Sequence, residues 1–168
     1  MPAKQIPQIP PAERVQESYK KLALAAPVLN SASDELCEAV SVFDAALRAL
    51  NLGVSAWVTL SQGHDPEDGE WWSRDLGYAR IGDSWGIALS KSRGNIGYPD
   101  RDTEEQWLFK DGPRWMRLES VGKIPDLLEA LLKQTDDTTR KLKAKAEEVL
   151  ALAAAMSKAA EVAQLEQK

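Results

Sequence analysis

After Pro125 the chain contains neither glycine nor proline. At 1.5 Å per residue, a helix from Pro125 to about Gln164 is roughly 60 Å long, well beyond the diameter of a 168-residue domain. Part of it must therefore project from its fold or meet a partner. Leu127, Leu128, Leu131 and Leu132 give its start a broad apolar face. A heptad frame that starts at Leu128 and Leu131 passes through Thr135, Thr138, Leu142, Lys145, Val149, Leu152, Met156, Ala159, Ala163 and Glu166. Its polar positions Thr135, Thr138 and Lys145 cluster, which separates a core-packed first part from a second apolar stripe beginning at Leu142. That stripe is rich in alanine, which favours helix but buries little area, so it suits close packing against another helix. Leu142, Val149, Leu152, Met156, Ala159 and Ala163 are the expected partner-binding positions, whether the partner is a second copy or another protein.

Two helices are expected near the start. Val15, Tyr19, Leu22 and Ala26 recur at helical spacing, and Pro27 should end or kink that helix. A second helix begins at Ser33 or Asp34 and carries Leu36, Val40, Phe43, Leu47 and Leu50, with Asn51-Leu52-Gly53 as its stop signal. From Val54 the period changes to two: Val54, Ala56, Val58 and Leu60 alternate with Ser55, Trp57 and Thr59, as in a strand. Residues 62–69 are polar and rich in turn formers, so they read as a loop.

Gly82-Asp83 suits a type II′ hairpin turn between strands 76–81 and 85–89. This turn pairs Arg80 with Trp85, Tyr78 with Ile87 and Leu76 with Leu89. The opposite face holds Gly77, Ala79, Ile81, Gly86 and Ala88, a seat on which a helix can approach closely. After a loop at 92–103, residues 105–109 form a short last strand, ended by Lys110-Asp111-Gly112-Pro113. Trp115 or Met116, Leu118, Val121 and Ile124 then mark a further helix before the long one.

The expected class is therefore α+β: an antiparallel sheet of three or four strands packed by two N-terminal and two C-terminal helices, the last one long. Residues 1–11, with four prolines, form a flexible arm. The globular domain is expected over 12–135, and residues 136–168 continue it as an alanine-rich helical extension.

A net charge of -5 argues against a dedicated duplex-DNA binder. Cys37 is the sole cysteine, which excludes an internal disulfide and a thiolate metal cluster and fits a reducing, cytoplasmic setting. No run of about 18 apolar residues is present to suggest a membrane span.

Few residues carry chemistry. His64 lies beside Asp65, Glu67, Asp68 and Glu70, but an EF-hand loop with Gly69 at its sixth position would have to start on His64 rather than on an aspartate, so the segment reads as a solvated acidic loop. Cys37, next to Leu36 on a helix, reads as a small buried side chain rather than a nucleophile. The GxxG of Gly94 to Gly97 follows a strand, not the first of two helices, and is weak evidence for a nucleic-acid clamp. No cofactor motif is present. Asp100 and Glu104 are the only carboxylate pair singled out for an enzymatic reading, and nothing in their spacing favours it.

Five of the six tryptophans fall in the strand-rich middle. Burial in the core is the simplest reading of them. The alternative is single-stranded nucleic-acid binding, with Tyr78, Trp85 and Trp107 stacking on bases and Arg80 or Arg114 pairing phosphates. The leading reading is a noncatalytic assembly module that uses its last helix.

Overall fold

The computed structural model describes residues 10–165, with side chains through Glu161. The greater part of the expected flexible arm, residues 1–9, lies outside the described residues. The order is a long helix α1 (Pro11–Ala49), four strands β1 (Ala56–His64), β2 (Glu70–Ile81), β3 (Ser84–Asn95) and β4 (Thr103–Leu108), a short helix α2 (Arg114–Ser120), and a long helix α3 (Ile124–Leu165). The class is α+β, with one antiparallel sheet in the order β1-β2-β3-β4. By its internal contacts the chain divides into two units, Met1–Ala45 and Ala46–Lys168.

The helix count differs from the expected two and two. At the N-terminus α1 runs through Pro27 without ending. An interior proline costs about 3 kcal/mol relative to alanine. Here the carbonyl of Ala23, which loses its donor to the proline ring, lies on a stretch whose side chains are all exposed, so water can take the missing hydrogen bond. No glycine falls anywhere between Pro11 and Ala49. Continuity also aligns the two apolar stripes. Val15, Tyr19, Leu22 and Ala26 connect through Leu29 and Ser33 to Leu36, Val40, Phe43 and Leu47 at alternating steps of four and three, one heptad frame over the whole helix. Within it, residues 11–32 are exposed, whereas Leu36 and Cys37 are half-buried and Val40 is buried.

At the other end, α2 and α3 are joined by a single 3-10 turn, Val121–Lys123, rather than by a break at Gly122 and Pro125. Pro125 is tolerated because the first turn of α3 has no intrahelical acceptor for its nitrogen in any case. The inward track is Met116, Ser120, Ile124, Leu127 and Leu131. Leu118 and Val121, expected on this track, are exposed; Leu118 lies two residues from both Met116 and Ser120 and so on the opposite side of α2.

The hairpin pairs as its turn predicts: Arg80 with Trp85, Tyr78 with Ile87 and Leu76 with Leu89. Gly82 has φ 59°, and Asp83 is not among the positive-φ residues, the combination a II′ turn requires. The strands extend further than their apolar patterns. β2 starts at Glu70 and β3 reaches Asn95, while β1 continues to His64 into the segment expected as loop. In β1 a bulge between Thr59 and Ser61 removes Leu60 from the simple alternation, so Ala56 and Val58, but not Leu60, stand beside Tyr78 and Leu76.

The core of the second unit lies on the Leu76 face. Ala56, Leu76, Tyr78, Ile87 and Leu89 from the sheet are buried, as are Phe109, Met116, Ile124, Leu127 and Leu131. α2 sits on this face: Arg74, which shares it with Leu76, reaches Trp115 and Glu119, and Gly112, just before α2, is pressed against Leu89. A β-carbon at Gly112 would stand 2.6 Å from Leu89 Cδ1. The seat expected on the glycine-rich face is occupied differently. There the row Trp57, Gly77, Ala88, Leu108 crosses all four strands, and the indole of Trp57 fills the space above Gly77.

Candidate interaction surfaces

The tryptophans are placed by glycines. Three of them share a register pair with a glycine on the neighbouring strand: Trp57 with Gly77, Trp72 with Gly63, and Trp71 with Gly94. In each case a β-carbon on the glycine would collide with the indole, and at Gly63 it would stand 2.5 Å from Trp72 Nε1. A bulky ring laid over a bare backbone restores the packing that glycine removes from a strand. Trp85 stacks on Tyr78, with ring centroids 5.6 Å apart. Trp115 faces the guanidinium of Arg74 at 4.6 Å, and Trp72 covers the same guanidinium at 4.7 Å. Arg74 thus lies between two indoles, and its ion pair with Glu119, at 3.9 Å, ties β2 to α2.

This placement decides how the alternative nucleic-acid face can work. Tyr78, Arg80 and Trp85 do come together at the hairpin end. Tyr78 is only 2% exposed, however, and has no free ring face for a base; this is a correction to its expected stacking role. Arg80 is exposed beside Asp83, 3.4 Å away. Trp107 is half-buried in the row of Leu76 and Leu89, and Arg114 is exposed at the start of α2.

An aromatic and cationic surface does occur, at the opposite end of the strands. Trp72, Arg93, Tyr98, Arg101 and Thr103 line a groove of about 430 Å³ together with Glu70 and Asn95. Arg101 lies over the Tyr98 ring at 4.8 Å, and Arg93 Nε donates to Thr103 Oγ1 at 3.3 Å. The loops behind the groove are tied together. Asn95 donates from Nδ2 to the carbonyl of Asp68, and Ile96 donates its amide to the carbonyl of Gly69. Asp102 caps the Asn95 amide at 3.2 Å, with its carboxylate seated where Gly94 lacks a side chain. Arg93 and Arg101 are visible in the sequence as cations, but their meeting with Tyr98 and Trp72 depends on this loop closure.

The remaining sequence candidates have structural roles. Asp65 Oδ1 accepts the amides of Glu67 and Asp68, closing the turn next to His64. Glu104 accepts from the buried Ser90 hydroxyl and from Gln106, and Asp100 is exposed in the 3-10 turn that precedes β4. Among the described residues no group of three or more His, Cys, Asp or Glu is placed to hold a metal ion. No helix among them is long and apolar enough to cross a membrane.

The expected partner-binding stripe lies on α3 beyond its buried part. Thr135 and Thr138, two of the polar positions that separate the core-packed part from the second stripe, are half-buried, and Thr135 Oγ1 donates to the carbonyl of Leu131. From residue 139 to residue 161 every side chain is exposed. Leu142, Val149, Leu152 and Met156 are between 59% and 72% exposed, and Ala159 is exposed with them. The side chain of Ala163 lies outside the described residues. No protein-family model, curated protein or solved structure matches the chain.

Proposed function

We propose that the chain is a noncatalytic assembly module whose last helix joins it to a second copy. The observation that supports this reading is the exposure of Leu142, Val149, Leu152 and Met156 on a helix segment with no buried side chain. Water-exposed leucine, valine and methionine at heptad spacing gain free energy on association, about 25 cal/mol per Å² of apolar area removed from water. The sheet and α2 serve as the body that carries the helix.

The test is light scattering on the purified chain, whose mass is 18.5 kDa. The expected result is a dimer mass, reduced to 18.5 kDa by the double substitution Val149→Glu and Met156→Glu, with unchanged near-ultraviolet dichroism from the tryptophans. A wild-type monomer at micromolar concentration would sink the reading.

The groove of Trp72, Arg93, Tyr98 and Arg101 supports a second reading, single-stranded nucleic-acid binding. It moves the stacking surface away from Tyr78 to the far end of the sheet. Tyr98 is 60% exposed and lies between two cations in sequence, as a base platform with phosphate partners requires. A titration with single-stranded RNA and DNA at low salt, followed by tryptophan fluorescence, should show saturable quenching that Arg93→Ala weakens. An unchanged signal ends this reading.

A further inference from the structure

We propose that the partner of the α3 stripe is the first half of α1 from a second copy, so that two chains exchange these helices. The inference rests on the assembly reading and adds the identity of the opposing surface. On α1, Val15, Tyr19, Leu22 and Leu29 belong to one heptad frame and are 53% to 71% exposed. The apolar character of the two seams is the same, and their exposed spans, residues 11–32 and 139–161, are each about 33–35 Å long at 1.5 Å per residue.

Three arguments favour α1 over a second α3. Pairing α3 with α3 leaves the α1 seam in water, whereas pairing each α1 with the other copy's α3 covers both seams. The α3 seam is flanked by Ala146, Ala153 and Ala160 at seven-residue intervals, and the bulkier Tyr19 and Leu22 suit a surface with such small neighbours. Finally, a parallel α3 pair sets Lys145 against Lys145 at a core position, while the α1 seam from Val15 to Leu29 contains no charge. The size is adequate. Each seam residue leaves on the order of 100 Å² in water, so two copies together offer roughly 1,600 Å², the area of a standard stable interface.

The test uses the full chain with Cys37→Ser as background. One preparation carries Leu22→Cys and another Val149→Cys, near the midpoints of the two spans, so that they meet whichever way the helices run. After mixing and mild oxidation, the expected product is a mixed disulfide dimer, formed in at least tenfold excess over either homodimer. In parallel, Tyr19→Glu with Leu22→Glu should abolish the dimer as fully as Val149→Glu with Met156→Glu. If the chain dimerises but only Val149→Cys homodimers form, and the α1 substitutions leave the dimer intact, the assembly reading stands and the α1 partner is wrong. If light scattering gives a monomer, and a chain carrying both cysteines closes on itself, both are wrong.

Discussion

Trp57 and Gly77 face each other across β1 and β2, and the six-membered ring of the indole occupies the position a β-carbon on Gly77 would take. The two residues are one packing unit. Gly77→Ala must displace the ring or the strand, so it is expected to destabilise the chain by about 1–3 kcal/mol, the usual cost of overpacking. Replacing Trp57 by leucine vacates the ring's space. In that background Gly77→Ala should cost far less. Urea denaturation of the four members of this double-mutant cycle measures the coupling; additive effects would show that the ring is not held by the glycine.

Arg74 presents a related case across an element boundary. Its guanidinium is stacked on Trp72 and Trp115 and paired with Glu119, though about a third of the side chain remains exposed. Each partly solvated cation–π contact is worth roughly 0.5–1 kcal/mol, and the long, exposed ion pair adds little. Arg74→Ala is therefore expected to lower stability by about 1–2 kcal/mol. Arg74→Lys keeps the charge but loses the planar stack, so it should recover less than half of that loss. Most of the loss should persist in 1 M salt, because salt screens the ion pair far more than the stacked contacts. A loss that disappears with salt would assign the contribution to Glu119 instead.

Much of the fold could be read from the sequence where a short-range rule decides it. Gly82-Asp83 set the register of β2 and β3 to the residue, because a two-residue turn leaves no freedom in which side chains oppose each other. The ends of the same strands could not be read. Glu70, Ser73, Arg74 and Asp75 show no apolar alternation, and they are strand because Trp71 and Trp72 pack on glycines of the neighbouring strands, a relation between distant segments. Pro27 misled for the opposite reason. The local rule is sound, but its penalty is small enough for a long, glycine-free helix to bear at an exposed position. The long helix α3 was legible from the lack of glycine and proline after Pro125, whereas the groove of Arg93, Tyr98 and Arg101 was not, since it arises from loop ties made by Asn95 and Asp102.

Pro27 itself is a lever on α1. Pro27→Ala restores a donor for the Ala23 carbonyl and removes the clash of the ring with the preceding turn. The change should raise helix stability by up to about 3 kcal/mol locally, slowing amide exchange over residues 23–31. Exchange that is unchanged or faster would mean that the proline is accommodated by a distortion other segments depend on.

Removing the distal part of α3 separates folding from the proposed association. Its side chains from residue 139 to residue 161 are all exposed, so ending the chain after Thr139 removes no buried apolar side chain among the described residues. An isolated helix extension contributes little cooperative stability of its own. The truncated chain should therefore keep its sheet, with Leu127 and Leu131 still in the core, and unfold within about 1 kcal/mol of the stability of the full-length variant Val149→Glu with Met156→Glu. Against the wild-type chain, which we propose to be a dimer, the difference should grow with protein concentration, because a dimer gains stability by mass action. Calorimetry at two concentrations spanning a hundredfold range makes the comparison. A truncated chain that loses several kcal/mol even against the full-length double variant would place the distal helix in the cooperative fold, and its exposed leucines would then need a covering surface within the same chain.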